Sequence, residues 1–227
     1  MKWTLRSKLL VPTLAIVTAG LALLSTVSYW QSREAIAAST THEMEQICST
    51  TVAHLNDWFA DQQANLEGWA GLKIIQTSLQ DSFVGQAARG SASGELAAII
   101  RRYERLEQIQ LLNSSGVVIA SSDASQVNQL KLTDTGYFQS AMQGHATHSE
   151  PTASKISGAP IIVIAVPIKE GDKVTGVLAG VINIEKYAQQ FILPVKVQNT
   201  GYLCLFDKHG VILGSSGILV AEEGGSW

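Results

Sequence analysis

A twelve-residue segment occurs twice in this chain. Leu111–Ser122 (LLNSSGVVIASS) returns 94 positions later as Leu205–Ser216 (LFDKHGVILGSS), and five of the twelve positions are identical. Each copy has an apolar run, a polar turn that ends in Gly, and a second apolar run, which predicts a β-hairpin. The repeat indicates two copies of one structural unit in tandem. Because the second copy ends 11 residues before the C-terminus, we expect the second unit to be incomplete in this sequence.

The charged residues are unevenly distributed along the chain. Lys2, Arg6 and Lys8 are the charged residues among the first thirty, whereas the rest of the chain carries 13 basic and 19 acidic residues. An acidic body without a basic stripe argues against nucleic-acid binding. With 46% hydrophobic and 15% charged residues, the composition fits a globular protein that also has a membrane segment.

The 22 residues Leu9–Trp30 contain no charged side chain. A helix of about 20 residues crosses the hydrocarbon core of a bilayer, and the preceding cations favour a cytoplasmic N-terminus with the body outside. A cleaved signal peptide is the alternative, but its apolar region is shorter, about 7–15 residues, and Ser28-Tyr29-Trp30 is a poor cleavage site. The sequence therefore predicts an uncleaved transmembrane helix that crosses the membrane once.

Residues 31 to about 80 are predicted to form one long stalk helix. Apolar side chains recur there at spacings of three, four and seven, at Met44, Cys48, Val52, Leu55, Phe59, Leu66 and Trp69. Such a stripe requires a partner, either the chain's own sheet or a second chain alongside, and both could apply in different parts of the helix. For Cys48 a small core residue is the simpler interpretation, and a disulfide to a second chain is the alternative.

The following segment alternates short helices and strands. The Gly/Ser-rich stretch Gly85–Gly94 is predicted as a loop, and Glu95–Leu106 as a helix with Ser93 as its N-cap. Two further short helices are predicted at Tyr137–Gln143 and Glu185–Ile192. The predicted strands are Gln108–Leu112, Val117–Ser122, His148–Lys155, Ile161–Ile168 and Val174–Ile184. The pattern therefore predicts an α+β unit around a five-stranded antiparallel sheet, followed by the first hairpin of another.

Six short motifs occur in a diagnostic order: Gln110–Val118 (QLLNSSGVV), Gly136–Ala141 (GYFQSA), Ser154–Gly158 (SKISG), Ile164–Ile168 (IAVPI), Gly176–Gly180 (GVLAG) and Gly201–Asp207 (GYLCLFD). This ordered set resembles the double Cache sensor module of bacterial transmembrane receptors. The resemblance implies a PAS-like sheet, a membrane-distal pocket for a small molecule, and a parallel homodimer joined through the long N-terminal helices. Methyl-accepting chemotaxis receptors are the commonest hosts of such modules, and histidine kinases and diguanylate cyclases are also known.

The resemblance also predicts how the chain is organised. We expect residues 1–30 to hold the cytoplasmic N-terminus and the span of a bacterial inner membrane, and 31–80 the stalk. Residues 81–193 would form the membrane-distal Cache module in the periplasm, and 194–227 an incomplete membrane-proximal one. A complete relative would finish the second module, cross the membrane again and carry an output domain, so we expect a fragment or a decayed receptor.

Five residues are candidate ligand contacts. In the family the ligand lies against the sheet, under the short helix and the loop after it. Thr135, Tyr137 and Phe138 lie at the start of that helix, and His148 and Lys155 lie in the strand that follows. An inward Tyr offers an apolar wall and one hydroxyl, and a Lys could pair with a carboxylate. Core packing of the aromatic residues and an exposed position for Lys155 are the alternatives.

One branch of the family recognises amino acids through a Tyr, an Arg, a Trp-Tyr pair and a later Asp. At the corresponding positions this chain has Leu130, Thr135 and Tyr137-Phe138, and Val181 stands near where the Asp would be. The cation that would meet a carboxylate and the anion that would meet an amine are both missing from these positions. The resemblance therefore implies a small carboxylate held by Lys155, or a neutral compound, rather than an amino acid or an amine.

No motif predicts catalysis or a cofactor. His145 and His148 would supply only two ligands of a zinc site, so no metal is expected. Glu104 and Glu107 lie beside three arginines at helical spacing, which indicates a solvated face of ion pairs. Nucleophile-elbow, P-loop and dinucleotide motifs are missing, and we expect no enzyme.

A pilin-like structural subunit, anchored in the membrane by its N-terminal helix, is the alternative from a different functional class. Such proteins resemble one another in having a Glu just inside the apolar segment, whereas this chain has no acidic residue before Glu34. The pilin-like alternative also leaves the repeat unexplained.

Overall fold

The structure is a computed structural model that describes residues 5–103, 105–154, 156–192, 203–206, 208–210 and 212–215. The chain divides into two compact units, residues 1–53 and 54–227. Its first element is helix α1, Leu5–Ala70. Within the described part of the chain, no helix combines the length and the hydrophobicity that a membrane span requires. The span predicted over Leu9–Trp30 stays a prediction.

The apolar stripe of the stalk differs between the two units. In the first unit Met44 and Val52 are 45% and 54% exposed, and Cys48 is exposed as a free thiol. In the second unit Leu66 is fully buried, and Trp58 is 9% exposed. Packing of the stripe against the chain's own sheet is therefore confirmed for the C-terminal part of α1.

The single helix predicted over residues 31–80 is wrong at its C-terminal end. Helix α1 ends in a turn in which Gly71 donates its amide hydrogen to the carbonyl of Glu67, at 3.1 Å. A separate short helix, α2, follows at Lys73–Ser78. The interruption allows the chain to turn back, because α2 packs against the next helix.

The predicted loop Gly85–Gly94 is also wrong, since it lies inside helix α3, Phe83–Arg102. Ser82 caps this helix through its Oγ, which accepts the amide hydrogen of Gly85 at 3.0 Å. A Cβ on Gly85 would lie 2.1 Å from the carbonyl oxygen of Gln80, so the glycine permits a close approach of the backbone. Tertiary packing thus outweighs the low helix propensity of Gly and Ser here.

Ser93 does not cap a helix as predicted. It lies in the middle of α3, where its Oγ accepts the amide hydrogen of Ser121 at 3.2 Å. On the buried side of the same helix, Ala92 and Leu96 are fully inaccessible to solvent. Ala92 and Ser93 of the Gly/Ser-rich stretch therefore lie where α3 packs against the sheet, whereas Gly90 and Gly94 are exposed.

The central sheet is antiparallel and has six strands. They are β1 (Leu106–Asn113), β2 (Val118–Ser121), β3 (Thr147–His148), β4 (Thr152–Ala153), β5 (Pro160–Glu170) and β6 (Lys173–Asn183). Their order is β2-β1-β6-β5-β3, and β4 also pairs with β5. The predicted third strand, His148–Lys155, is interrupted by Pro151, which has no amide hydrogen, and forms β3 and β4 instead.

The bounds predicted for two short helices differ from the observed ones by one residue. Helix α4 spans Gly136–Met142, and helix α5 spans Ile184–Phe191. Asn183 caps α5, because its Oδ1 accepts the amide hydrogen of Lys186 at 3.1 Å. A single 3-10 turn, Ala124–Gln126, lies between β2 and α4.

Both faces of the sheet are covered by packed side chains, as the residues of β6 show. Leu178 and Ile182 pack with the side chains of α1, α3 and α5, whereas Ala179 and Val181 pack on the opposite face with Phe138 of α4. Alternating residues of a strand point to opposite faces, so a continuous apolar run is expected for a strand buried on both. The α4 face carries the cavity described below.

The second copy of the repeat forms its own two-stranded sheet. Strand β7 is Cys204–Phe206 and strand β8 is Ile212–Ser215. Leu205 pairs with Gly214, as Leu111 pairs with Ala120 in the first hairpin, and a register shift follows each Leu. The two predicted hairpins are therefore confirmed, with the same register. The rest of the predicted module at 194–227 lies largely outside the described residues.

Candidate functional site

A cavity of about 300 Å³ lies on the α4 face of the sheet. Its floor is formed by β1, β5 and β6, and its walls by the segment before α4 and by the loop around β4. The lining includes Glu107, Gln108, Gln110, Gln126, Leu130, Leu132, Thr135, Tyr137, Ser149, Ser154, Ile161, Val163 and Val181. Apolar walls with a few converging polar groups are typical of small-molecule sites.

The structure brings together four positions that the sequence comparison singled out. Thr135 and Tyr137 line the cavity, as do Leu130 and Val181. Phe138 is 3% exposed and packs in the hydrophobic core on this face. The ligand-binding roles of these residues stay predictions.

Of the remaining candidate residues, His148 is not brought into this cavity. Lys155 lies outside the described residues. His148 lies on β3 and lines a different cavity, where its ring stacks on Phe59 with 6.2 Å between centroids. Among the described residues, no group of three or more His, Cys, Asp and Glu side chains is placed to hold a metal ion.

The Tyr137 hydroxyl is held in its protonated form. Burial raises the pKa of Tyr137 above its ordinary value of 10.0, and a hydrogen bond with the Thr135 side chain opposes that shift. Thr135 occupies the N-cap position of α4, but its Oγ donates to the carbonyl of Leu132 at 2.7 Å instead of capping the helix. The two hydroxyl groups therefore form a neutral polar corner of the cavity.

A set of glutamines forms the polar floor, and sequence reasoning missed it. Gln108 and Gln110 on β1 are 3% and 5% exposed. The Gln110 amide nitrogen donates to the side-chain oxygen of Gln126 at 2.7 Å and to that of Gln108 at 3.3 Å. The signal was present in the sequence, since two glutamines spaced by two place their side chains on one face of a buried strand.

Glu107 is the largest correction to the sequence interpretation of the site. Helix α3 ends at Arg102 and Glu107 belongs to β1, so this carboxylate is not part of a helical ion-pair face. A register shift between Leu106 and Gln108 lets both Glu107 and Gln108 line the cavity. Glu104 lies outside the described residues.

The carboxylate of Glu107 is held by three donors. Its Oε1 accepts a short hydrogen bond from the Oγ of Ser154, which is 6% exposed. Its Oε2 accepts from Ser157 Oγ at 2.7 Å and from Asn183 Nδ2 at 3.4 Å. These contacts join β1, β6 and the loop after β4 at one edge of the cavity, and they fix the position of a negative charge there.

The cavity that contains His148 is larger, at about 650 Å³. Trp58, Phe59 and Tyr187 line one side, and the side chains of the β7–β8 hairpin line the other. The buried indole nitrogen of Trp58 has no hydrogen-bond partner among the described residues. This second cavity lies where the hairpin meets the sheet, on the side away from Tyr137.

Solved structures of bacterial sensor domains share this fold. The sensor domain of the V. cholerae histidine kinase DctB aligns with a TM-score of 0.63 at 18% identity, covering 79% of this chain and 67% of that chain. The ligand-binding domain of the Campylobacter jejuni chemoreceptor Tlp3, in complex with 4-methylisoleucine, gives 0.61 at 16% identity, with 82% and 75% covered. The ligand-binding domain of the Pseudomonas aeruginosa PAO1 amino acid chemoreceptor PctC, in complex with GABA, gives 0.58 at 18% identity, with 76% and 74% covered.

The sequence itself carries the family assignment. No curated protein sequence matches the chain. The Cache domain family dCache_1, in contrast, matches residues 32–224, which is most of its length. The resemblance expected from the ordered motifs is thus confirmed, and the chain belongs to the Cache domain family.

Proposed function

We propose that this chain is the extracytoplasmic sensing part of a bacterial chemotaxis receptor, and that it binds a small molecule in the cavity beside Tyr137. The observation that carries the proposal is the cavity itself, in which apolar walls meet polar groups on one face of a Cache-type sheet. Two of the similar structures are chemoreceptor domains in complex with small molecules, which supports the same role here.

The proposal includes a membrane anchor. The uncharged segment Leu9–Trp30 is helical, and it follows the cations Lys2, Arg6 and Lys8. A cytoplasmic N-terminus and a periplasmic sensing domain agree with this charge distribution. Fusion of a reporter enzyme after residue 227 tests the topology, since alkaline phosphatase is active only outside the cytoplasm.

The proposal also includes a parallel homodimer through α1. Met44, Cys48 and Val52 lie on one stripe of the helix and are exposed in the single chain. Apolar stripes of this kind are commonly covered by a second helix. Oxidative cross-linking of Cys48 in membranes tests the dimer, because a parallel pair would place the two thiols at the same level.

The binding test uses the full chain in detergent micelles and a library of small metabolites. At least one compound should bind saturably by calorimetry and raise the melting temperature. At a ligand concentration of a hundred times its Kd, the free energy of unfolding should rise by about 2.7 kcal/mol. Tyr137→Phe should weaken binding several-fold, because it removes a hydroxyl from the cavity. Tyr103→Phe is the matched control, since Tyr103 is 39% exposed and lies outside the cavity lining.

A second variant tests the position of the site. Val181→Phe places a larger side chain in the cavity and should abolish binding while the chain stays folded by circular dichroism. Binding that survives both Tyr137→Phe and Val181→Phe would move the ligand to another site. A library in which nothing binds would contradict direct sensing.

A further inference from the structure

The charge of the cavity limits what it can bind. Among the described residues that line it, Glu107 is the one with a charged side chain. The remaining polar groups are amides and hydroxyls, which are neutral. A ligand with a net negative charge would be repelled by this carboxylate. A ligand with a positive charge would neutralise it.

The carboxylate retains capacity for a ligand. An ionised carboxylate offers about four lone-pair positions. Ser154, Ser157 and Asn183 occupy three of them on Glu107. The hydrogen bonds hold the group in place while leaving room for another donor. A fixed, half-buried charge is a stronger partner for a ligand than a mobile surface charge, because less entropy is lost on binding.

The glutamine floor adds a second acceptor. The amide nitrogen of Gln110 has two hydrogens, and both are donated, to Gln108 and Gln126. Its own oxygen accepts from no group among the described residues, so that oxygen is the atom of Gln110 left for a ligand. The floor and the edge of the cavity therefore each present an acceptor to a ligand.

The remaining walls are suited to an aliphatic chain. Leu130, Leu132, Ile161 and Val163 also line the cavity, and they offer no polar side-chain group. A cavity of about 300 Å³ accommodates a small aliphatic molecule with one polar head. The head would meet the acceptors, and the chain would meet the apolar walls.

We infer that the cavity binds a small aliphatic amine in its protonated form, with the Glu107 carboxylate as its counter-charge and the Gln110 oxygen as a second acceptor. This inference rests on the proposed function and names the class of ligand. It reverses the expectation from the sequence, in which a missing anion at Val181 argued against amines. The anion comes instead from β1, at a position outside the motif of the amino-acid-binding branch.

The test compares head groups at constant chain length. Primary alkylamines of three to six carbons are titrated into the full chain in detergent micelles at pH 7, beside the carboxylates and alcohols of equal length. Calorimetry and melting temperature report binding. At least one amine should bind at least about tenfold more tightly than its matched alcohol, since a hydrogen bond to a charged group contributes about 1.5–3 kcal/mol. The carboxylates should give no saturable signal.

Variants then test whether the Glu107 carboxylate is the counter-charge of the bound amine. Glu107→Gln keeps the shape of the side chain and should weaken amine binding about 10- to 100-fold with little change for the alcohol. Glu107→Asp keeps the charge and should retain the preference for amine over alcohol. Glu170→Gln is the matched control, because Glu170 is exposed at the end of β5 and does not line the cavity. The head-group preference of the unmodified chain remains decisive if Glu107→Gln does not fold.

The outcomes separate this inference from the proposed function. Carboxylates or alcohols that bind as tightly as amines, or an amine affinity unchanged in Glu107→Gln, would overturn the inference. If no amine binds but another metabolite does, and Tyr137→Phe weakens it, the inference fails while the sensing function stands. If neither the amines nor the metabolite library binds, both fail.

Discussion

The two hairpins of the repeat have the same local structure and very different surroundings. Each has the same strand register, the same register shift and a glycine with positive φ in its turn, Gly116 at 74° and Gly210 at 82°. In the first hairpin, β1 also pairs with β6 along its whole length and is covered by α3. In the second, β7 and β8 pair only with each other among the described strands. Local sequence therefore specifies the hairpin, whereas the neighbouring elements set how strongly it is held.

Equivalent positions of the two hairpins differ in how deeply their side chains are buried. Leu111 is fully buried between the sheet and the helices, while Leu205, its counterpart, is half-buried. Leu213 is the best buried residue of the second hairpin, and it packs on Ile162 and Ile184. The second hairpin is thus attached to the sheet through a small apolar contact.

The largest expected difference comes from Leu111→Ala and Leu205→Ala. Leu111→Ala should lower the free energy of unfolding by about 2–5 kcal/mol, because it leaves a cavity in the core. Leu205→Ala should cost less than about 1 kcal/mol, since the side chain already contacts solvent. Urea denaturation of the full chain in detergent, followed by near-UV circular dichroism, measures both. Equal losses would mean that the two hairpins are held equally well.

The next pair of variants compares the turns. Both glycines adopt the left-handed conformation, so Ala costs about 1–2 kcal/mol at either position. A Cβ on Gly116 would also lie 2.9 Å from the amide nitrogen of Thr133, whereas a Cβ on Gly210 would meet no atom within 4 Å. Gly116→Ala should therefore cost about 2–4 kcal/mol and Gly210→Ala about 1 kcal/mol. A loss from Gly210→Ala as large as that from Gly116→Ala would show that the second turn is also packed.

Leu213→Ala tests the attachment of the second hairpin. It should raise the rate of amide hydrogen exchange in β7 and β8 and leave exchange in β1 unchanged. The increase should correspond to a loss of about 1–2 kcal/mol in the free energy of local unfolding. The repeat-equivalent variant, Ile119→Ala, is the control, because Ile119 is 2% exposed in the core and should affect the whole sheet. A change in β1 exchange with Leu213→Ala would show that the hairpin unfolds together with the sheet.

The smallest expected effect is that of the ion pair between Lys208 in the second turn and Glu150. Its side chains are 63% and 68% exposed, and exposed pairs contribute about 0–1 kcal/mol. A double-mutant cycle with Lys208→Ala and Glu150→Ala should give a coupling below about 0.5 kcal/mol, which falls further at high salt. A coupling above about 1 kcal/mol would identify the pair as a substantial link between hairpin and sheet.

Sequence reasoning predicted the elements whose signals are local. The Asn113–Gly116 turn, the long apolar runs of β5 and β6 and the short helix at Tyr137 all follow from turn chemistry and period. It failed at α3, where Gly85, a residue type that normally disfavours a helix, is required by the close approach to Gln80. It also failed to place Glu107, since a helix extended past Arg102 gives that residue a different face and a different neighbour.

The sequence by itself determined the family, the repeat and the positions of the two hairpins, because these depend on motifs and on contacts within a few residues. Only the tertiary structure decided which side chains meet in the cavity. Glu107 is 47 and 50 positions from the serines that hold it, and His148 is carried to a different cavity from Tyr137. Contacts over such separations depend on strand order, register shifts and helix packing, and no pattern within a short window specifies them.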